Sequence, residues 1–185
     1  GRYLDHNGIR YFDYSASGFC FVMKGKRAET VILSDPDSWD EANKGVLGIF
    51  VTEGSDTSIA AIPEEPTARI TLTQRENHIV LFDSPVEKTV TVRVMKFSEA
   101  AFGYAGFKSL ELEGDLLSSP ESPETESQLK LEFIGDSITC GYGIEGVWEK
   151  DTFTTQQERP DKAYAFLTAK ALGAQVQHCS WSGIG

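Results

Sequence analysis

From residue 1 to about residue 113 the chain alternates apolar and polar residues in short runs separated by turn formers. In "TVTVRVMKF", Val90, Val92 and Val94 fall on one face and Thr89, Thr91 and Arg93 on the other. A period of two is that of a half-buried strand, whose successive side chains point to opposite faces. Similar runs are "IRYFDYS", "GFCFVMK", "ETVILS", "VLGIFVTE", "ARITLT", "NHIVLFD" and "FKSLELEG", with "GKRA" and the turn-rich "DPDSWDEANKG" between some of them. Short strands so close together, without an amphipathic helix among them, predict an antiparallel β sandwich or jelly roll.

Two features of this part invite a functional reading. His78, in "RENHIVLF", is a candidate ligand or base, but a lone histidine at a strand start reads better as structural. Tyr11, Phe12, Tyr14, Phe19 and Phe21 could form a sugar platform, yet their alternation suits a β core.

The composition then changes. Residues 114–128 are rich in Ser, Pro and Glu and poor in large apolar side chains, which reads as a linker. Beyond it, "LKLEFIG" is a compact strand. "DKAYAFLTAKALG" has helical spacing, with Asp161 as candidate N-cap and Gly173 as stop. "AQVQHCSWSG" then reads as a second strand. Strand, helix, strand is the seed of a parallel sheet.

The first of these strands ends abruptly at Gly135-Asp136-Ser137. In open α/β sheets, sites form beyond the carboxyl ends of strands. A tight turn at Gly135 would leave the Ser137 hydroxyl exposed at the top of the sheet. Acyl transfer requires such a nucleophile, with N–H donors aimed at the oxyanion. The bland alternative is an ordinary turn, since Gly, Asp and Ser are all common there. A second Gly-rich turn, "SWSGIG", follows the next strand, and side-by-side strand ends would let Gly183 present its N–H beside Ser137.

"FIGDSITCGYG" resembles the first block of the SGNH (GDSL) hydrolases, and "CSWSGIG" is similar to their second block. The layout resembles the acetyl esterases of carbohydrate esterase family two, a jelly roll followed by an SGNH domain. The resemblance implies a β sandwich (jelly roll) N-terminal domain over 1–113, a linker over 114–128, and the start of an α/β parallel-sheet SGNH hydrolase domain over 129–185. It implies Ser137 as nucleophile, with its own N–H and that of Gly183 as oxyanion donors. Asp136 is implied to stabilise the turn. The implied activity is hydrolysis of carboxylic esters, namely deacetylation of sugars or plant polysaccharide. No cofactor and no metal are implied.

The family's third-block asparagine and last-block histidine have no match before Gly185. His6, His78 and His178 are the histidines present, and His178 reads as a sheet residue. A serine hydroxyl without a base is a weak nucleophile, so the 185 residues alone are expected to be inactive. Two strands and one helix leave Leu131, Phe133, Ile134 and Val176 short of cover, so residues 129–185 are expected to lean on the sandwich, on another copy, or on the remainder of the hydrolase domain. The rival reading is a carbohydrate-binding module joined to an incomplete hydrolase. An esterase for acyl lipids fits less well, because no apolar lid is evident.

The loop from Ile138 to Pro160 is longer than usual between strand and helix, and such loops are often functional. It carries Tyr142 and Trp148, with Trp181 across the site. Trp181 and Trp148 are the candidate substrate-binding residues, since flat aromatics suit a sugar ring. A net charge of −11 argues against nucleic acid or anionic membrane as partner. The three cysteines lack metal-type spacing and read as buried free thiols. A secreted or periplasmic location is expected, with any signal peptide already removed.

Overall fold

The computed structural model describes residues 2–37, 40–118 and 129–184. Strand β1 (Tyr3–His6) turns into β2 (Ile9–Phe12) through Asn7 and Gly8, with φ of 50° and 77°. Asn-Gly at positive φ is the preferred two-residue hairpin turn. Next come β3 (Gly18–Leu33), β4 (Val46–Glu53), β5 (Ala68–Thr71), β6 (Glu76–Lys96) and β7 (Ala105–Leu117). These strands form one sheet in the order β1-β2-β7-β3-β6-β4-β5, antiparallel at every junction.

This corrects the expected fold class. The chain is mostly one curled, seven-stranded antiparallel sheet with few helices, compatible with a jelly-roll-like β fold, and residues 129–184 do not form an α/β parallel-sheet domain. The cause lies in two long strands. "GFCFVMK" and "ETVILS" are two halves of the 16-residue β3, and "NHIVLFD" and "KTVTVRVMKF" both run within or into the 21-residue β6. The apparent turns between them are bulges, where the β3–β6 register shifts between Gly25 and Arg27 and again between Ala28 and Glu29. Bulges bend a strand and increase its twist, so a single sheet curls around its own core.

That inner core gathers Met23, Ile32, Leu47, Ile49, Val90, Val92 and Val94. The three valines share the inner face, as a period of two demands. Strand β4 is buried on both faces. Leu47 and Ile49 point into the inner core, while Val46 and Phe50 join Ile62, Met95, Phe97 and Phe166 in a second cluster on the outer face.

The second cluster receives the rest of the chain. Residues 129–184 contribute β8 (Lys130–Gly135), α1 (Ser137–Cys140), α2 (Tyr164–Leu172) and β9 (Gln175–Ser180). Strands β8 and β9 form a parallel pair without further strands among the described residues. Their cover comes from elsewhere. Phe166 and Val176 pack on the outer cluster, and Phe133 packs edge-on against Tyr164 and His178. Ile134 remains 77% exposed.

A polar seam centred on buried Arg159 and Thr155 also ties this segment to the sheet. The Arg159 guanidinium donates to Glu65 at 2.9 Å, to the Glu64 carbonyl at 3.0 Å and to Glu145. Thr155 donates to the Lys44 carbonyl at 2.7 Å, Gln156 to Thr71 at 2.8 Å, and Arg69 to Glu145. The long loop after Ile138 is therefore anchored along the sheet. Asp161 does not cap α2: it is buried against Arg159, and Ala163 takes the N-cap position without a side-chain bond. Gly173 ends the helix in the left-handed conformation, as expected. The expected linker over 114–128 begins inside β7, and its residues 119–128 lie outside the described residues.

Candidate active site

Two turns meet at one edge of the β8–β9 pair. The parallel register sets Gly135 opposite Ser180, and the Trp181 N–H donates to the Gly135 carbonyl at 3.1 Å. The chain leaves β8 through Asp136-Ser137 and leaves β9 through Trp181-Ser182-Gly183 beside it. The sequence alone paired these turns only if the strands were parallel neighbours, and they are.

In the first turn, the Asp136 carboxylate accepts from the Ile138 N–H at 3.0 Å and caps α1. Asp136 thus shapes the turn. Gly135 has no room for a side chain, since a Cβ would stand 2.2 Å from Thr139 Oγ1. Thr139 is held in turn by the Tyr164 hydroxyl at 2.9 Å. Ser137 is half-buried at the first position of α1, and its hydroxyl has no hydrogen-bond partner among the described residues.

The second turn is closed by the Ile184 N–H donating to the Trp181 carbonyl at 3.2 Å. Gly183 is its third residue, with φ of 81°, a position that favours glycine. The Ser182 N–H donates to Glu99 Oε2 at 2.5 Å. Glu99, fully buried, is contributed by the chain just after β6. The Cys140 thiol lies between the same Glu99 oxygen, at 3.6 Å, and Ser180 Oγ, at 3.3 Å. Burial pushes this thiol up to about 12, which makes it a structural group rather than a second nucleophile.

Behind the turns lies a buried ionisable cluster. Glu158 Oε2 accepts from the Glu99 N–H at 2.9 Å, and Lys96 Nζ donates to the Ser98 and Glu99 carbonyls at 2.8 Å each. Burial pushes the Glu158 carboxyl up to about 8 and pulls the Lys96 ammonium down to about 8. Nothing in the sequence marked Lys96, Glu99 or Glu158 as buried, because charged residues flanking strands and loops ordinarily face water.

The histidines stand apart from Ser137. His6 belongs to β1, His78 to β6 and His178 to β9. His178 is 3% exposed, and burial pulls it down to about 4, so it is neutral at physiological pH. No hydrogen bond joins any of the three to Ser137 among the described residues. Trp181 opens the second turn at 41% exposure, whereas Trp148 projects from the long loop at 88%. Tyr142 instead stacks on Phe153, with ring centroids 3.6 Å apart. Among the described residues no cluster of three or more His, Cys, Asp and Glu side chains could hold a metal ion.

No protein-family profile matches the chain. It is 32% identical over 186 residues to the cellulase/esterase CelE of Acetivibrio thermocellus, covering 99% of this chain and 20% of that protein. It is 35% identical over 125 residues to an acetylxylan esterase / glucomannan deacetylase of Cellvibrio japonicus, covering 67% of this chain and 34% of that one. Among solved structures, a family two carbohydrate esterase from Cellvibrio japonicus superposes with a TM-score of 0.80 at 27% identity, over 100% of this chain and 49% of that one. A family two carbohydrate esterase from Clostridium thermocellum in complex with cellohexaose gives 0.76 at 27% identity, over 95% of this chain and 48% of that one. The chain thus spans about half the length of these solved relatives and a smaller share of the curated ones. The two curated relatives are esterases that act on carbohydrate by name, and the two solved structures are family two carbohydrate esterases.

Proposed function

We propose that the full-length protein is a secreted or periplasmic serine esterase that removes acetyl groups from sugars or plant polysaccharide. One observation carries the reading: the Gly135–Ser180 register brings an unengaged serine hydroxyl and a glycine turn to the same strand-end edge. The SGNH-like pattern of the two turns and the carbohydrate esterases among the relatives support it.

Ser137 Oγ attacks the acetyl carbonyl carbon and gives its proton to a general base. The oxyanion is held by the N–H groups of Ser137 and Gly183. Collapse of the tetrahedral intermediate breaks the bond to the sugar oxygen, which takes the proton back from the base. Water, deprotonated by the same base, then attacks the acyl-serine and releases acetate. His6, His78 and His178 make no hydrogen bond to Ser137 among the described residues, so none of them is assigned as the base. Ser137→Ala in the full-length protein should abolish acetate release from p-nitrophenyl acetate and acetylated xylan. Wild-type turnover in that variant would remove Ser137 from the role.

A second reading, carbohydrate binding by the sheet itself, is favoured by a different observation. Tyr3, Tyr11, Tyr14 and Tyr104 line an open concavity of about 530 Å³ beside the β1–β2 hairpin. Tyrosine faces suit pyranose rings. Tyr104→Ala should weaken retention of the full-length protein on insoluble xylan without changing turnover of p-nitrophenyl acetate. Unchanged retention would leave these tyrosines to packing.

A further inference from the structure

We propose that Glu99, in the segment that follows β6 of the antiparallel sheet, is the positioning residue that aims the Gly183 turn at Ser137. The inference rests on the esterase reading above. Glu99 Oε2 accepts the Ser182 N–H at 2.5 Å, one residue before Gly183. The same oxygen faces the Cys140 thiol at 3.6 Å, three residues after Ser137. One buried carboxyl oxygen therefore touches the Gly183 turn and the end of the short helix that Ser137 begins.

The Glu99 backbone is itself clamped. Its N–H donates to Glu158 at 2.9 Å and its carbonyl accepts from Lys96 at 2.8 Å. Glu99, Glu158 and Lys96 are all fully buried, so the anchor belongs to the rigid interior. The turn it holds is the opposite in character. Gly183 is exposed, has φ of 81°, and has open space around the position a Cβ would take. A glycine turn of this kind wanders unless something fixes it, and an oxyanion donor works only when pre-aimed at the developing charge. The segment after β6 thus contributes to the site without touching the substrate. Its role is to hold the neighbouring N–H so that the Gly183 N–H has one direction.

The test compares Glu99→Ala and Glu99→Gln in the full-length protein, with p-nitrophenyl acetate as probe and turnover normalised to serine titrated by a fluorophosphonate. Glu99→Ala should lower kcat by about 10- to 100-fold, the scale of a misplaced catalytic group, with KM within about twofold of wild type. Glu99→Gln, which keeps an acceptor oxygen for the Ser182 N–H, should recover most of the loss. A role in stability alone would reduce the amount of titratable enzyme and leave kcat per titrated serine unchanged, which overturns the proposal. A glutamine variant no better than alanine overturns it too. If Glu99→Ala does not fold, Ser182→Pro removes the N–H that Glu99 holds at the second residue of the Trp181–Ile184 turn, a position where proline is common. The same fall in kcat supports the proposal there, and wild-type kcat overturns it. Ser137→Ala runs in parallel: if it retains activity, the esterase reading fails, whereas lost activity there with an unaffected Glu99→Ala condemns the positioning role only.

Discussion

The guanidinium of Arg159 holds both carboxylate oxygens of Asp161, at 2.9 and 2.8 Å, and the two side chains are only 1% and 2% exposed. A bidentate pair with this burial is costly to break from one side, because the surviving charge is left without a partner or water. Arg159→Ala should lower unfolding free energy by about 3–5 kcal/mol in urea titration. Lys88→Ala, at the solvated Lys88–Glu53 pair, should change it by less than about 1 kcal/mol. Equal shifts in the two variants would mean that the Arg159 seam does not join the halves of the fold.

The buried cluster predicts an unusual dependence of stability on pH. Burial raises Glu158 from 4.5 to about 8, so across that window the folded state keeps a proton the unfolded state has lost, and stability falls as pH rises. His178 acts in the opposite sense, lowered from 6.5 to about 4, and stability from this group rises with pH across that window. The two slopes oppose each other up to pH 6.5, leaving a net fall from 6.5 to 8. Lys96, lowered from 10.5 to about 8, then restores stability between 8 and 10.5. The fall should approach about 1.4 kcal/mol per pH unit, and Glu158→Gln should flatten it. Urea unfolding at intervals from pH 6 to 9 reads this directly, and an unchanged slope in Glu158→Gln would reject the assignment.

Two glycines of the Ser137 segment separate backbone conformation from close approach. Gly141 has φ of 81°, and a Cβ there would stand 2.5 Å from the Arg159 carbonyl group. Gly143 has φ of 68° and open space around it. Gly143→Ala should therefore cost about 1 kcal/mol, the left-handed penalty alone. Gly141→Ala should cost more than about 2 kcal/mol, because the strand-end loop must also retreat from Arg159. Chemical denaturation compares them, and equal losses would show that the approach is not tight.

Trp181 and Trp148 differ in what a sugar would meet. Trp181 stands in the Gly183 turn and is 41% exposed, while Trp148 is 88% exposed on the long loop. Trp181→Ala should raise KM on acetylated xylan far more than on p-nitrophenyl acetate, with Trp148→Ala giving the smaller effect. A matching rise on both substrates for Trp181→Ala would assign that ring to packing.

The sequence by itself determined the local geometry. Alternation in "TVTVRVMKF" places Val90, Val92 and Val94 on one face whatever the topology, because the strand repeat is two. Gly135-Asp136-Ser137 is a strand-ending turn because its cap and its missing Cβ are local features, and Gly173 ends a helix for the same reason. Tertiary structure alone decided what these pieces join. Whether "GKRA" is a turn or a bulge depends on partner strands far along the chain, so one curled sheet was not legible where a sandwich seemed written. Asp161 left its capping position because Arg159, two residues before it and buried in the seam, offers a stronger partner than an amide at the helix start. Glu99 was invisible for the same physical reason. A charged residue reads as solvated until the fold surrounds it, and only the packing of residues 129–184 on the sheet removes the water and puts the Ser182 N–H in its place.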